Sequence, residues 1–284
     1  MTVNTDRFGS LVDGEIASLV SVRDRGLAYG DGVFRTIACR AGRLEAWRRH
    51  MAKLAHDCSR LGLVCPDESL WLADIAELAP VDAVVKLMVT RGISQRGYAC
   101  DPAAPVCRIV MTSPLPAYAA QAEHHAKRLH VCDWPLSLQA GLAGVKHLNR
   151  LDQVMARREW QDATIFDGLM CNARGEVVEG VISNLFIHDG NRWLTHPLAD
   201  CGVAGVSREL VLAVLADMGQ PAQLRAFSLE MLHAAQAVCV CNSLIGVAQV
   251  GQVGARIWGA SAEVAMLRAA WMKQVNKESI AWCV

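Results

Sequence analysis

The chain has 284 residues, with 28 basic and 28 acidic side chains that cancel to a formal net charge of zero. That length leaves room for two modest domains, or one large one, with a sizeable core. The balanced charge gives no global field to attract nucleic acid or an anionic membrane surface, so small-molecule chemistry is expected, with neither of those as partner. The eleven cysteines are odd in number and scattered singly, at Cys39, Cys58, Cys107, Cys132 and Cys239 among others. They read as reduced thiols used as small hydrophobes, and no two pairs have zinc-ligand spacing, so no metal site is expected. The opening run Met1 to Arg7 lacks the apolar core of a secretory signal, and no later stretch reaches the ~20 apolar residues of a membrane span. A soluble, cytoplasmic protein is the expectation.

In chain order, strand-like pieces are expected around residues 14–22 and 32–39, joined by a glycine-rich loop. Trp47, Met51, Leu54, Cys58 and Leu61 fall at three- and four-residue steps and predict a helix over 45–61 with one buried face. A second helix is expected over 68–78, and strands over 83–91 and 106–112, flanking a loop with Arg96-Gly97-Tyr98. Pro114 and Pro116 disfavour helix and central strand alike and mark a linker. Beyond it, a strand over 129–134 leads into an apolar, glycine-punctuated segment that ends at Lys146. A helix over 148–161 and strands over 164–171 and 184–188 follow, the strands separated by a hairpin turn at 172–176. The remaining expectations are a helix over 207–218 stopped by Gly219 and Pro221, a strand over 237–242 and a helix over 262–273. Mixed helices and strands in two halves make an α+β protein of two domains, residues 1–113 and 121–284, with a linker at 114–120.

Lys146 stands out because a lysine closing an apolar segment can be partly desolvated, which leaves its amine available as a nucleophile or base. Position alone describes a surface lysine at a strand end equally well. Ala204-Gly205-Val206-Ser207-Arg208 precedes an expected helix, where free main-chain N–H groups and a glycine suit a phosphate, although such a run is also an ordinary cap. Glu179 on its residues alone reads as a hairpin glutamate, like Glu176.

Taken together, Asp24 to Phe34, Lys146 to Asp152, Glu179 to Phe186, Ala204 to Arg208 and Cys241 to Leu244 resemble, in order, the motifs of the fold-type IV family of pyridoxal phosphate enzymes. That family holds branched-chain aminotransferases, D-amino acid aminotransferases and 4-amino-4-deoxychorismate lyase, and the Lys-His-Leu-Asn-Arg-Leu run looks most like the lyase branch. The resemblance implies a small N-terminal α/β domain, a larger C-terminal mixed α/β domain, pyridoxal 5'-phosphate between them and a homodimer. It makes Lys146 the catalytic lysine that carries the cofactor and Glu179 the carboxylate at the pyridine nitrogen. Gly205, Val206, Ser207 and Ser243 would hold the phosphate. The family's phosphate-binding arginine, three residues after a histidine on the first long helix, is here Lys53 after His50, a departure for which Arg49 or Arg60 could substitute. Arg96, Arg91 and Tyr29 are implied at the substrate. The implied reaction converts 4-amino-4-deoxychorismate to 4-aminobenzoate and pyruvate, with a functional link to aminodeoxychorismate synthase. The alternative on the same scaffold is a D-amino acid or branched-chain amino acid aminotransferase. Seven of the eight tryptophans, Trp71, Trp134, Trp160, Trp193, Trp258, Trp271 and Trp282, are more aromatic surface than two small domains must bury, so some are expected to face a partner.

Overall fold

The computed structural model describes residues 8–117 and 126–282. The chain falls into two compact units, Met1–Pro116 with Lys146–Asn149 and Glu278–Val284, and Ala117–Val145 with Arg150–Lys277. The division is therefore not contiguous as expected, because two short segments of 121–284 join the first unit. Positions 118–120 of the expected linker lie outside the described residues.

The first unit is built, among the described residues, on a seven-stranded sheet. Its strands are β1 (Ser10–Val12), β2 (Glu15–Ile16), β3 (Gly32–Arg40), β4 (Arg43–Leu44), β5 (Ala83–Thr90), β6 (Cys107–Ser113) and, from the chain's end, β16 (Ile280–Ala281), in the order β16-β4-β3-β5-β6-β1-β2. β3 pairs antiparallel with the full length of β5, from Gly32 with Thr90 to Cys39 with Ala83. The expected strand at 14–22 shrinks to two residues, because Leu19 and Val22 are apolar but exposed and find no partner strand. The short helix α1 (Arg25–Tyr29) is hidden in what reads as a loop: Asp24 caps it by accepting from the Gly26 N–H at 2.7 Å, and Gly30 ends it at φ 67°. Helix α2 (Trp47–Arg60) matches the periodicity, and α3 (Glu68–Leu78) has the expected span. The buried stripe of α2 is nevertheless Trp47, His50, Leu54, Asp57 and Cys58, with two polar groups where the periodicity points to Met51 and Leu61. A polar side chain enters a buried face only where it finds partners, and those partners shape the site.

The second unit carries β7 (Lys127–Val131), β8 (Ile165–Cys171), β9 (Val177–Gly180), β10 (Asn184–His188), β11 (Trp193–Thr195), β12 (Gln223–Leu224), β13 (Ala237–Asn242), β14 (Gly246–Val253) and β15 (Arg256–Ile257). Among the described residues these form one mixed sheet in the order β12-β11-β10-β13-β14-β7-β8-β9, with β15 on β14. A further pairing of β9 with β10 closes the path on itself. Leu169, Val177, Leu185, Val240 and Val250 fill its core. The apolar run of β14 and the short strands β9, β11 and β12 lack clear alternation and were not anticipated. The helices are α4 (Leu151–Arg157), α5 (Val206–Asp217), α6 (Leu229–Ala234) and α7 (Ala262–Glu278). α4 is shorter than expected because residue 148 is spent on pairing, its N–H donating to the Gly32 carbonyl at 2.8 Å. Among the described residues no helix is long and apolar enough to cross a membrane.

Of the tryptophans, Trp71, Trp160, Trp193, Trp258 and Trp271 are each at most 6% exposed and serve the chain's own core, while Trp134 is 38% exposed. Trp271 packs against the turn between β13 and β14, where a Cβ on Gly246 (φ 64°) would fall 2.6 Å from its ring. Gly246→Ala should therefore cost ~2 kcal/mol or more, from overpacking and a left-handed backbone combined. Thermal unfolding followed by tryptophan fluorescence checks this, and an unchanged midpoint would contradict it.

Candidate active site

Lys146 lies in the first unit, where its segment is pinned on both sides. Its carbonyl accepts from the Phe34 N–H at 3.0 Å, and His147 bridges Val33 at the start of β3. Its own N–H donates to Asp57 Oδ2 at 3.1 Å. The half-buried side chain places Nζ 4.6 Å from the centroid of the Phe34 ring, a cation–π distance.

Asp57 is fully buried and is ion-paired to Arg35 on β3 and to Lys53 one helical turn earlier. Burial alone would raise its pKa, but Arg35, Lys53 and the Lys146 N–H outweigh that and hold it below the usual carboxylate range. Lys53, proposed by resemblance for phosphate, thus stands against Asp57, and burial lowers its pKa despite that partner. Of the substitutes, Arg49 is engaged bidentately by Glu278 at 2.6 and 2.9 Å. His50 is buried in the same cluster, and burial, then Arg35 and Lys146, push its pKa down to about 3, so it is neutral. Arg35 was missed in the sequence. Its signal was an arginine at a position of β3 whose i−2 and i+2 neighbours, Val33 and Ile37, are apolar and buried.

Two of the three residues implied at the substrate share one cavity. Tyr29 and Arg96, with Arg23, Arg25 and Ser94, line a space of about 410 Å³ in the first unit. Arg25 is buried and staples the loop that carries Arg96: it donates to the Gly97 carbonyl at 2.9 Å, to the Tyr98 carbonyl at 3.2 Å and to Ser94 Oγ at 3.1 Å. Arg91 is placed differently, bonding Asp31 at 2.9 Å and the carbonyls of Leu61 and Gly62. Its role there is to fix the loop: burial opposes ionisation of Asp31, but Arg91 and Arg25 keep its pKa low.

Glu179 belongs to the second unit and, at 3% exposed, is no solvated hairpin residue. It sits on β9, and its Oε2 accepts from the Val203 N–H at 2.8 Å and from Asn184 Nδ2 at 3.3 Å. Asn184 also donates to the Val203 carbonyl and, through Oδ1, accepts from the Gly205 N–H at 3.2 Å, just before α5. One side chain thus ties the glutamate to the helix start. A Cβ at Gly205 would fall 2.4 Å from Asn184 Oδ1, so only glycine permits this closeness. Val206 and Ser207 open α5 in buried positions, where main-chain N–H groups have no intrahelical acceptor. Cys241 pairs with Asn184, which brings the turn carrying half-buried Ser243 to the same end of the sheet. Arg208, missed in the sequence, is 7% exposed, gives one Nη2 bond to the His196 carbonyl and lies within electrostatic reach of Glu179.

These donors fit the cofactor that the resemblance implies. A buried acceptor-only carboxylate suits a protonated ring nitrogen, and a glycine-led helix N-terminus with a nearby hydroxyl suits a phosphate.

Comparison with known proteins gives a consistent result. The model of the family described as Amino-transferase class IV matches residues 32–253. Aminodeoxychorismate lyase of Vibrio harveyi is 34% identical over 246 residues, covering 86% of this chain and 91% of that one. The structure of 4-amino-4-deoxychorismate lyase from Pseudomonas aeruginosa superposes with a TM-score of 0.89 at 40% identity, over 94% of this chain and 99% of that one. A hypothetical aminotransferase from Mycobacterium tuberculosis in its PLP-bound form shares the fold at 21% identity, with a TM-score of 0.82 over 95% and 99%.

The turn that follows Glu179 is held by Asp167, which is 1% exposed. Its carboxylate accepts from Ser183 Oγ at 2.7 Å and from the N–H groups of Gly168 and Ile182. Burial pushes its pKa from 3.8 up to about 7, against those donors. Because the folded-state pKa is the higher one, the folded chain keeps a proton that the unfolded chain loses between pH ~4 and ~7. Stability therefore falls as pH rises through that window, by roughly 4 kcal/mol from this group. Asp167→Asn should remove that fall, seen as a smaller difference between urea unfolding at the two ends of the window. A variant with the slope of the parent would show that Asp167 is ionised when folded.

Proposed function

From the premise that this chain belongs to the class IV aminotransferase family, we propose that it is a pyridoxal 5'-phosphate-dependent lyase that converts 4-amino-4-deoxychorismate to 4-aminobenzoate and pyruvate. The observation that carries the reading is the buried array in which Asn184 joins Glu179 to the start of α5. The lyase relatives at 34% and 40% identity support the choice of reaction.

In this reading the main-chain N–H groups of Val206 and Ser207, the cradle at Gly205 and the Ser243 hydroxyl hold the phosphate, with Lys53 adding positive charge from its pair with Asp57. Glu179 accepts the ring N–H and, being negative, keeps the proton there. When bound, the cofactor supplies a protonated ring that takes up the electron pair left by proton removal. Lys146 is the base: its amine takes the proton from the substrate carbon that bears nitrogen, and its ammonium returns a proton to the departing enolpyruvyl group. Phe34 lies against that amine and limits its water contact. Arg96 and Tyr29 face the substrate carboxylates from the cavity of the first unit, where a planar guanidinium offers two parallel donors. Arg91 supports them by fixing Asp31.

The working form is read as a homodimer. Ile16, Leu19, Val22, Leu27, Ile93 and Tyr98 leave apolar surface exposed in the first unit, which supports a partner on that unit. A cytoplasmic location and a functional link to the synthase that makes the substrate belong to the same reading.

The test is a coupled assay in which protein supplied with cofactor is given freshly made 4-amino-4-deoxychorismate while both products are followed. Equimolar pyruvate and 4-aminobenzoate are expected, with a loss of at least ~10²-fold in kcat for Lys146→Ala. A cofactor-loaded protein that yields neither product, yet exchanges amino groups between an amino acid and a keto acid, would overturn the lyase in favour of an aminotransferase.

A further inference from the structure

Of the buried charges beside Lys146, the reaction as written uses Lys53 and gives no part of its own to Arg35 or Asp57. Arg35 is 2% exposed and Asp57 fully buried, yet a buried ion pair rarely adds net stability over well-packed apolar residues. What the pair does locally is specific. Asp57 turns one oxygen to the main-chain N–H of Lys146 at 3.1 Å, while the carbonyl of Lys146 and the N–H of Leu148 are bonded to β3. The N–H of Lys146 is thus held from α2 and the rest of its segment from the sheet. Arg35 comes from β3 and Lys53 from α2, so the carboxylate is clamped by cations from the two elements that flank the lysine.

We propose that Asp57 is the positioning residue of Lys146: a carboxylate oxygen, fixed by Arg35 and Lys53, receives the lysine's main-chain N–H and so sets where its amine stands. This rests on the reading of Lys146 as the cofactor-carrying base. The contribution is geometric, since a lysine whose main chain is free to shift by a fraction of an ångström spends less time within reach of its target.

Two double variants isolate the hydrogen bond from the charge. Arg35→Gln with Asp57→Asn removes the ion pair and keeps an acceptor oxygen for Lys146. Arg35→Met with Asp57→Leu removes pair and acceptor together; both variants leave Lys53 without its carboxylate, so the comparison between them isolates the acceptor. The readouts are the rate at which the visible absorption band of lysine-linked cofactor grows on adding pyridoxal phosphate to cofactor-free protein, and kcat against KM. The Met/Leu protein is expected to fold, to link cofactor on the order of tenfold more slowly and to lose kcat by a similar factor, with KM little changed, as when the outer partner of a site residue is removed. The Gln/Asn protein is expected to recover most of that loss. Equal rates in both variants, at the parent's level or both reduced, would overturn the proposal, and so would failure of both to fold, which would make Asp57 a folding residue. Lys146→Ala separates the two readings: if that protein develops the same band as the parent, the assignment of Lys146 itself fails, whatever the Asp57 variants do.

Discussion

A carboxylate taken out of water costs several kcal/mol unless something replaces its hydration, and the replacement chosen decides both its charge and the path of the surrounding chain. Asp57 and Asp167 are equally buried and resolve the problem in opposite ways. Asp57 meets two cations and stays ionised; Asp167 meets only a hydroxyl and main-chain N–H groups, and its pKa climbs to about 7. Neutral donors contribute about 1 kcal/mol each, too little to offset full desolvation, whereas opposite charges at contact distance do offset it. In both places the group sits beside a residue assigned to the chemistry, and some of its hydrogen bonds fix main chain.

Glu179 shows the same constraint used for a different end. Its acceptors are filled from one side by Val203 and Asn184, and the second role of Asn184 at Gly205 makes the helix start and the glutamate one rigid array. Nothing about a solvated glutamate would require the glycine at 205, but a glutamate coupled through an asparagine does, because any Cβ would strike Asn184 Oδ1. The spacing Glu179, Asn184, Gly205 is thus a mechanical unit as much as a motif.

Much of the architecture could be read from the residues. The 3.6-residue periodicity located α2, and turn chemistry located the hairpin at 172–176, where Asn172 Oδ1 accepts from the N–H groups of Arg174 and Glu176. What escaped was decided by partners distant in sequence. The strand expected at 14–22 pairs only at Glu15–Ile16, and β9 is too short for its alternation to show. Hydrophobicity assigns the buried stripe of α2 to Met51 and Leu61, while the structure gives places to His50 and Asp57, whose burial makes sense only once Arg35 is known to face them. The motifs at Lys146, Glu179 and Ala204–Arg208 were legible as resemblance, but the glutamate's burial and the bridging side chain of Asn184 were not.

The exchange of arginine for lysine at position 53 then has a physical reading. An arginine there would present a planar fork, able to serve a carboxylate and a phosphate at once; a lysine offers a compact charge with tetrahedral donors. With Asp57 within its reach, Lys53 is committed to that carboxylate, and Arg35 brings a second cation to the same group. Two cations, one carboxylate and a neutral His50 leave one positive charge in excess, in a place where little water screens it. The cluster therefore retains the positive sign that an arginine would give while losing its directionality. The main-chain donors at the start of α5 need no counter-charge, and the residue before them is fixed by the same asparagine that holds Glu179.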